Sequence, residues 1–96
     1  MEILITYDVA TESPGGNRRL RRVAKVCQSY GQRVQDSVFE CSVNPVQLER
    51  LKGRLRKEMK PDEDSLRIYK LREPREEHLE VFGRQIAIDL RGPLVL

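Results

Sequence analysis

Residues 2 to 9 constrain this chain most, because they alternate in the manner of a strand with apolar side chains on both faces. Ile3, Ile5, Tyr7 and Val9 point one way, and Leu4, Thr6 and Asp8 the other. A strand apolar on both sides must be covered on both sides. If helices cover one face, a second subunit is the simplest cover for the other. The strand then ends in Asp8. A carboxylate there either caps the following turn or holds something, since desolvating it without a partner is costly. With a second oxygen donor opposite, it is a ready ligand for a hard metal ion.

The rest of the chain supplies the elements for such a sheet. Ser13-Pro14-Gly15-Gly16 lies in a loop, and a helix is expected from about Asn17 to Tyr30, with Leu20, Val23, Ala24 and Cys27 as its buried stripe and Gly31 as its terminator. Arg33 to Val43 alternates and is rich in β-branched residues, which predicts two short strands around Asp36-Ser37 or one bent strand. Asn44-Pro45 opens a second helix, with Gln47 in the capping-box position and Leu48, Leu51, Leu55 and Met59 as its stripe. Gly53 interrupts that helix at about 1 kcal/mol relative to alanine. Pro61 to Asp64 reads as a polar turn, and Ser65 to Leu71 as a fourth strand. The order βαββαβ is the α+β, ferredoxin-like plan. Residues 1–72 form its core. Within 73–96, a charged linker to about Glu80 precedes an apolar segment containing Ile86, Ile88 and Leu90 that the core has little room to bury.

A chain of 96 residues builds one core, burying roughly 60 to 68% of its unfolded surface. No apolar run approaches the ~18 to 20 residues of a membrane span, and Met1-Glu2-Ile3 carries no basic segment of a secretory leader. No membrane partner and a cytoplasmic location are therefore expected. Net charge is only +3, but Arg18, Arg19, Arg21, Arg22 and Lys25 fall within eight positions and make a local positive field. Arg50, Arg54 and Lys57 form a second basic strip. Such forks suit phosphate oxygens, although a solvated basic face has the same pattern. An aromatic content of 5% argues against a stacking platform for single-stranded RNA. Cys27 and Cys41 lie inside apolar patterns without metal-type spacing and read as small buried hydrophobes. One histidine, His78, leaves no histidine cluster for zinc or for acid–base work on phosphodiesters within one subunit. Glu40 reads as a solvated strand carboxylate, with a metal ligand as the alternative.

The opening strand with Tyr7-Asp8, the arginine-rich helix after it and the run Arg33-x-Gln35-x-Ser37-x-Phe39 together resemble the CRISPR-associated protein 2 family, the small adaptation proteins of CRISPR systems. The resemblance runs from Met1 to about Leu71. It implies that Asp8 faces its symmetry mate across a homodimer axis and that the pair binds one magnesium or manganese ion. Arg18 or Arg19 matches the basic positions opening the first helix, and Arg22, Lys25 and Arg33 extend the implied nucleic-acid contact. A surface salt bridge is the plainer reading of Arg33. Tyr7 precedes the aspartate as in relatives, Ser37 is a polar neighbour of the metal site, and Phe39 a packing or hinge residue.

The function so implied is metal-dependent phosphodiester cleavage, of single-stranded RNA or duplex DNA, within the acquisition of new spacers alongside the larger CRISPR adaptation integrase. Two alternatives stand beside it. One is a non-catalytic bridge binding DNA between copies of the integrase, and the other a stand-alone toxin-like ribonuclease of the same fold. In relatives the segment after the fourth strand crosses to the partner's sheet, so an exchanged C-terminal strand is expected here.

Overall fold

The computed structural model describes residues 1–83, so the C-terminal strand expected near Ile86 to Leu90 lies outside the described residues. The elements follow in the order β1 (Glu2–Asp8), α1 (Gly16–Gln28), β2 (Gly31–Gln35), β3 (Val38–Ser42), α2 (Pro45–Glu58) and β4 (Ser65–Lys70). The four strands form one antiparallel sheet in the order β2-β3-β1-β4, with β1 central. This is the ferredoxin-like arrangement anticipated from the order of apolar patterns.

Ile3, Ile5 and Tyr7 of β1 join Phe39 and Cys41 of β3, Val23, Ala24, Val26 and Cys27 of α1, and Leu48, Leu51 and Leu55 of α2 in a single core. Both helices therefore cover one face of the sheet. Leu4, Thr6, Asp8, Val38, Glu40, Ser65, Arg67 and Tyr69 alternate onto the other face, and none of them is buried. The two cysteines are core residues, as expected. Burial pushes the Cys27 thiol well above its usual range, which leaves it without thiolate chemistry.

Gly31 has a different role from the helix terminator expected of it. Helix α1 ends at Gln28, and the Ser29 hydroxyl and amide both donate to the Val26 carbonyl. Gly31 instead opens β2, where an added Cβ would lie 2.0 Å from the Glu40 carbonyl oxygen. Strand approach, not helix capping, requires glycine there. Gly16 is constrained in the same way by the Ala10 carbonyl, 2.2 Å from a hypothetical Cβ.

Helix α2 starts as its sequence specifies: Asn44 Oδ1 accepts from the Gln47 amide at 2.8 Å, and Gln47 Oε1 accepts from the Asn44 amide at 2.9 Å. A Cβ at Gly53 would meet nothing within 4 Å. Replacing Gly53 by alanine should therefore stabilise the protein by about 0.5 to 1 kcal/mol, read as a higher urea midpoint at unchanged slope. An unchanged or lower midpoint would mean that close packing selects this glycine.

Beyond β4 the chain packs further than a linker would. A short 3-10 turn spans Arg75–His78, and Arg75 Nη1 lies 3.1 Å from Glu40 Oε1 and 3.7 Å from Glu2 Oε1 on the open face. Glu40, which also accepts from Gln32 Nε2, is thus neither simply solvated nor near Asp8. It pairs across from Leu4, four residues back along β1 and about 13 Å away along the strand.

Candidate functional site

Asp8 is the last residue of β1, exposed on the open face directly opposite Ser65 of β4. With Thr6, Tyr7, Ser37, Ser65, Arg67 and Tyr69 it lines a shallow depression of about 380 Å³. Among the described residues Asp8 is the only carboxylate in that lining. No group of three or more His, Cys, Asp or Glu side chains suited to a metal ion occurs among the described residues.

What holds Asp8 in place is the buried residue pair on the opposite side of its strand. Alternation sends the Tyr7 ring into the core, where its hydroxyl needs an acceptor. It donates to Asp64 Oδ2. Asp64 is the only buried charged residue among those described, and it accepts four further hydrogen bonds. Arg19 Nε donates to Oδ2 at 2.8 Å and Nη2 to Oδ1 at 3.2 Å, a two-pronged fork. The Lys60 amide adds one at 3.0 Å and the Ala10 amide one at 3.2 Å. Burial alone pushes the Asp64 carboxyl up, but the hydrogen bonds from Arg19, Tyr7 and the two amides outweigh it and hold the group well below the usual carboxylate range. Burial, followed by the hydrogen bond and charge of Asp64, drives the Tyr7 phenol far above its ordinary value.

Asp64 thereby joins the end of β1, the loop at Ala10, the first turns of α1 and the α2–β4 turn. Tyr7 and Ala10 bracket Asp8 in the chain, so the network fixes the backbone on both sides of the exposed carboxylate. The Ser37 carbonyl, accepting from the Tyr7 amide at 2.9 Å, clamps the same point from the β2–β3 hairpin.

The expected nucleic-acid residues divide into three groups. Arg18, Arg22 and Lys25 are exposed on the helix layer, and among the described residues their one ion pair is a 3.8 Å approach of Arg22 to Glu58. Arg19 is directed inward, its side chain 13% exposed and its fork committed to Asp64, with a third contact to Glu63 at 3.4 Å. Its spacing explains this: Arg19, Val23 and Val26 stand at i, i+4 and i+7, the inner side of α1. Arg33 belongs to the hairpin, where Nε donates to the Asp36 carbonyl at 2.8 Å and the guanidinium lies 5.8 Å from the centre of the Phe39 ring. Phe39 is wholly buried, a packing residue.

The helix-layer cations and Asp8 thus occupy opposite sides of the sheet within one chain. From its sequence neighbours alone, Asp64 is one residue of a polar turn. The signal that points to it is Tyr7, a phenol placed on the core face with no local acceptor.

The family model described as CRISPR associated protein Cas2 matches residues 1–78. The chain is 56% identical over 96 residues to the CRISPR-associated endoribonuclease Cas2 1 of Moorella thermoacetica, covering 100% of both. It is 53% identical over 95 residues to the CRISPR-associated endonuclease Cas2 of Halalkalibacterium halodurans, covering 99% of each. The crystal structure of Streptococcus pyogenes Cas2 superposes with a TM-score of 0.80 at 49% identity, over 86% of this chain and 100% of that one. Full-length similarity, the split βαββαβ sheet and Tyr7-Asp8 at the end of its central strand lead to one conclusion: the chain belongs to the Cas2 family of CRISPR-associated proteins.

Proposed function

We propose that this protein is a homodimeric, metal-dependent nuclease of CRISPR adaptation, cleaving phosphodiester bonds of single-stranded RNA or duplex DNA and working beside the larger integrase. The observation that carries this reading is Asp8, among the described residues the one carboxylate of a depression on the sheet face opposite the helices. Each chain offers a single strong ligand there. Two copies packed through their open faces supply two, and Leu4, Val38 and Tyr69 on the same face provide apolar surface for that packing.

The lining fits the group it would hold. Asp8, Thr6, Ser37 and Ser65 present oxygen alone, the donor set of magnesium or manganese. Such an ion supplies Lewis acidity and a bound water of lowered pKa. The two Asp8 carboxylates would hold it, and the Ser37 and Ser65 hydroxyls would hydrogen-bond water or a phosphate oxygen. The Asp64 network keeps both Asp8 backbones still, so that no reorganisation is needed when substrate arrives. Wild-type protein that cleaves neither nucleic acid at any magnesium or manganese concentration would overturn the enzymatic part.

A second reading, the DNA-binding bridge, is favoured by the separation of the helix-layer cations from Asp8. Phosphates bound by Arg18, Arg22 and Lys25 need not approach Asp8 of the same chain. Replacing these three by alanine should weaken duplex binding irrespective of sequence and reduce its salt dependence by about 0.9 logarithmic units per lost contact. An unchanged slope would show that this face does not touch the backbone.

A further inference from the structure

Among the described residues the depression at Asp8 is lined by one cation, Arg67, which neither the basic pattern of α1 nor the run Arg33 to Phe39 includes. Strand register fixes its place. Ser65 sits opposite Asp8 and Arg67 opposite Thr6, so Arg67 lies on the open face, diagonal to Asp8 across the β1–β4 pair. Diagonal neighbours in an antiparallel pair are ~7 to 8 Å apart at their backbones, within the reach of an arginine. Arg67 nevertheless makes no ion pair with Asp8. Among the described residues its side chain hydrogen-bonds only to Tyr69 Oη, at 3.3 Å, two positions further along the same face. Tyr69 thus engages one arm of the fork, and the Arg67 side chain is exposed.

Charge explains why such a cation is needed, given the nuclease reading on which this inference rests. Two Asp8 carboxylates would balance one divalent ion, so an arriving phosphodiester brings a negative charge that, among the described residues of the lining, only Arg67 can offset. The helix-layer cations are on the wrong side of the sheet to do so. We propose that Arg67 is a substrate-binding residue, its fork holding a non-bridging oxygen of the nucleic-acid phosphate at the Asp8 depression while Tyr69 keeps it from pairing with Asp8.

The test separates binding from cleavage by using an Asp8→Asn background, with a labelled single-stranded RNA and a labelled DNA duplex as probes. Adding Arg67→Gln should lower the salt slope of binding by about 0.7 logarithmic units for the RNA or about 0.9 for the duplex per lost contact. Arg67→Lys should keep most of the slope and bind more weakly than arginine, because its point charge lacks the fork. In the otherwise wild-type enzyme, Arg67→Gln should raise KM about tenfold with kcat within about twofold, the signature of lost ground-state binding. Tyr69→Phe should raise KM by a smaller factor. An unchanged slope for Arg67→Gln overturns the proposal. So does a weakened dimer in sedimentation with the slope intact, since Arg67 would then brace the two copies. If the wild-type protein cleaves neither probe yet the slope still falls, the nuclease reading fails and the phosphate contact of Arg67 stands.

Discussion

Replacing Asp64 by alanine is expected to lower the unfolding free energy by about 3 to 5 kcal/mol, the range for removing one partner of a buried ion pair. The loss is large because four other groups depend on this carboxylate. Arg19 keeps its charge beside an emptied site, Tyr7 loses its acceptor, and the Lys60 and Ala10 amides lose theirs. A small domain commands only about 5 to 15 kcal/mol in total, so the variant should sit close to its unfolding threshold. Urea unfolding followed by circular dichroism measures it. A loss below about 1 kcal/mol would mean that water replaces the carboxylate at little cost.

The same residue sets a pH dependence with a definite sign. The folded pKa of Asp64 lies below its ordinary value of 3.8, so its stabilisation is complete above that value and is lost as pH falls through the folded pKa. Tyr7 acts in the opposite direction. Its folded pKa lies above the ordinary 10.0, so its share is present below pH 10.0 and is lost as pH rises beyond it. The stability gap between wild type and Asp64→Asn should be constant near neutrality and narrow below pH 3.8. A gap that stays constant into strong acid would assign the loss to shape rather than charge.

On the proposed nuclease reading, Asp8→Asn should reduce metal-dependent cleavage by at least about a hundredfold, because even partners that only orient a metal ligand cost 10- to 100-fold and Asp8 would be the ligand itself. Fold and dimer should survive, since the side chain is exposed and the substitution keeps its shape. Stability within about 0.5 kcal/mol of wild type is the expected control. Spacer acquisition in cells then distinguishes the two readings of function. If cleavage is the biological output, acquisition falls with it; if the protein is mainly a bridge, acquisition persists in cells whose purified Asp8→Asn protein is inactive. Wild-type cleavage by purified Asp8→Asn would remove Asp8 from the chemistry altogether.

Local pattern alone determined much of this protein. The alternation of residues 2 to 9, the capping box at Asn44 and Gln47, and the apolar stripes of both helices specify the element order and which faces are buried. Each is a signal written within one or two turns of chain, where spacing reports directly which face is buried. The placement of Asp8 on an open face follows from the same alternation, once Tyr7 is assigned to the core. The remainder depends on contacts between residues far apart in the chain. Asp64 meets Arg19 across 45 positions and Tyr7 across 57, and nothing in a polar turn announces that one of its three acidic residues will be buried. Among five clustered cations, packing sends Arg19 inward while Arg18, Arg22 and Lys25 stay in solvent. Strand order, which no local spacing encodes, sets β4 beside β1 and so brings Arg67 to the same depression as Asp8.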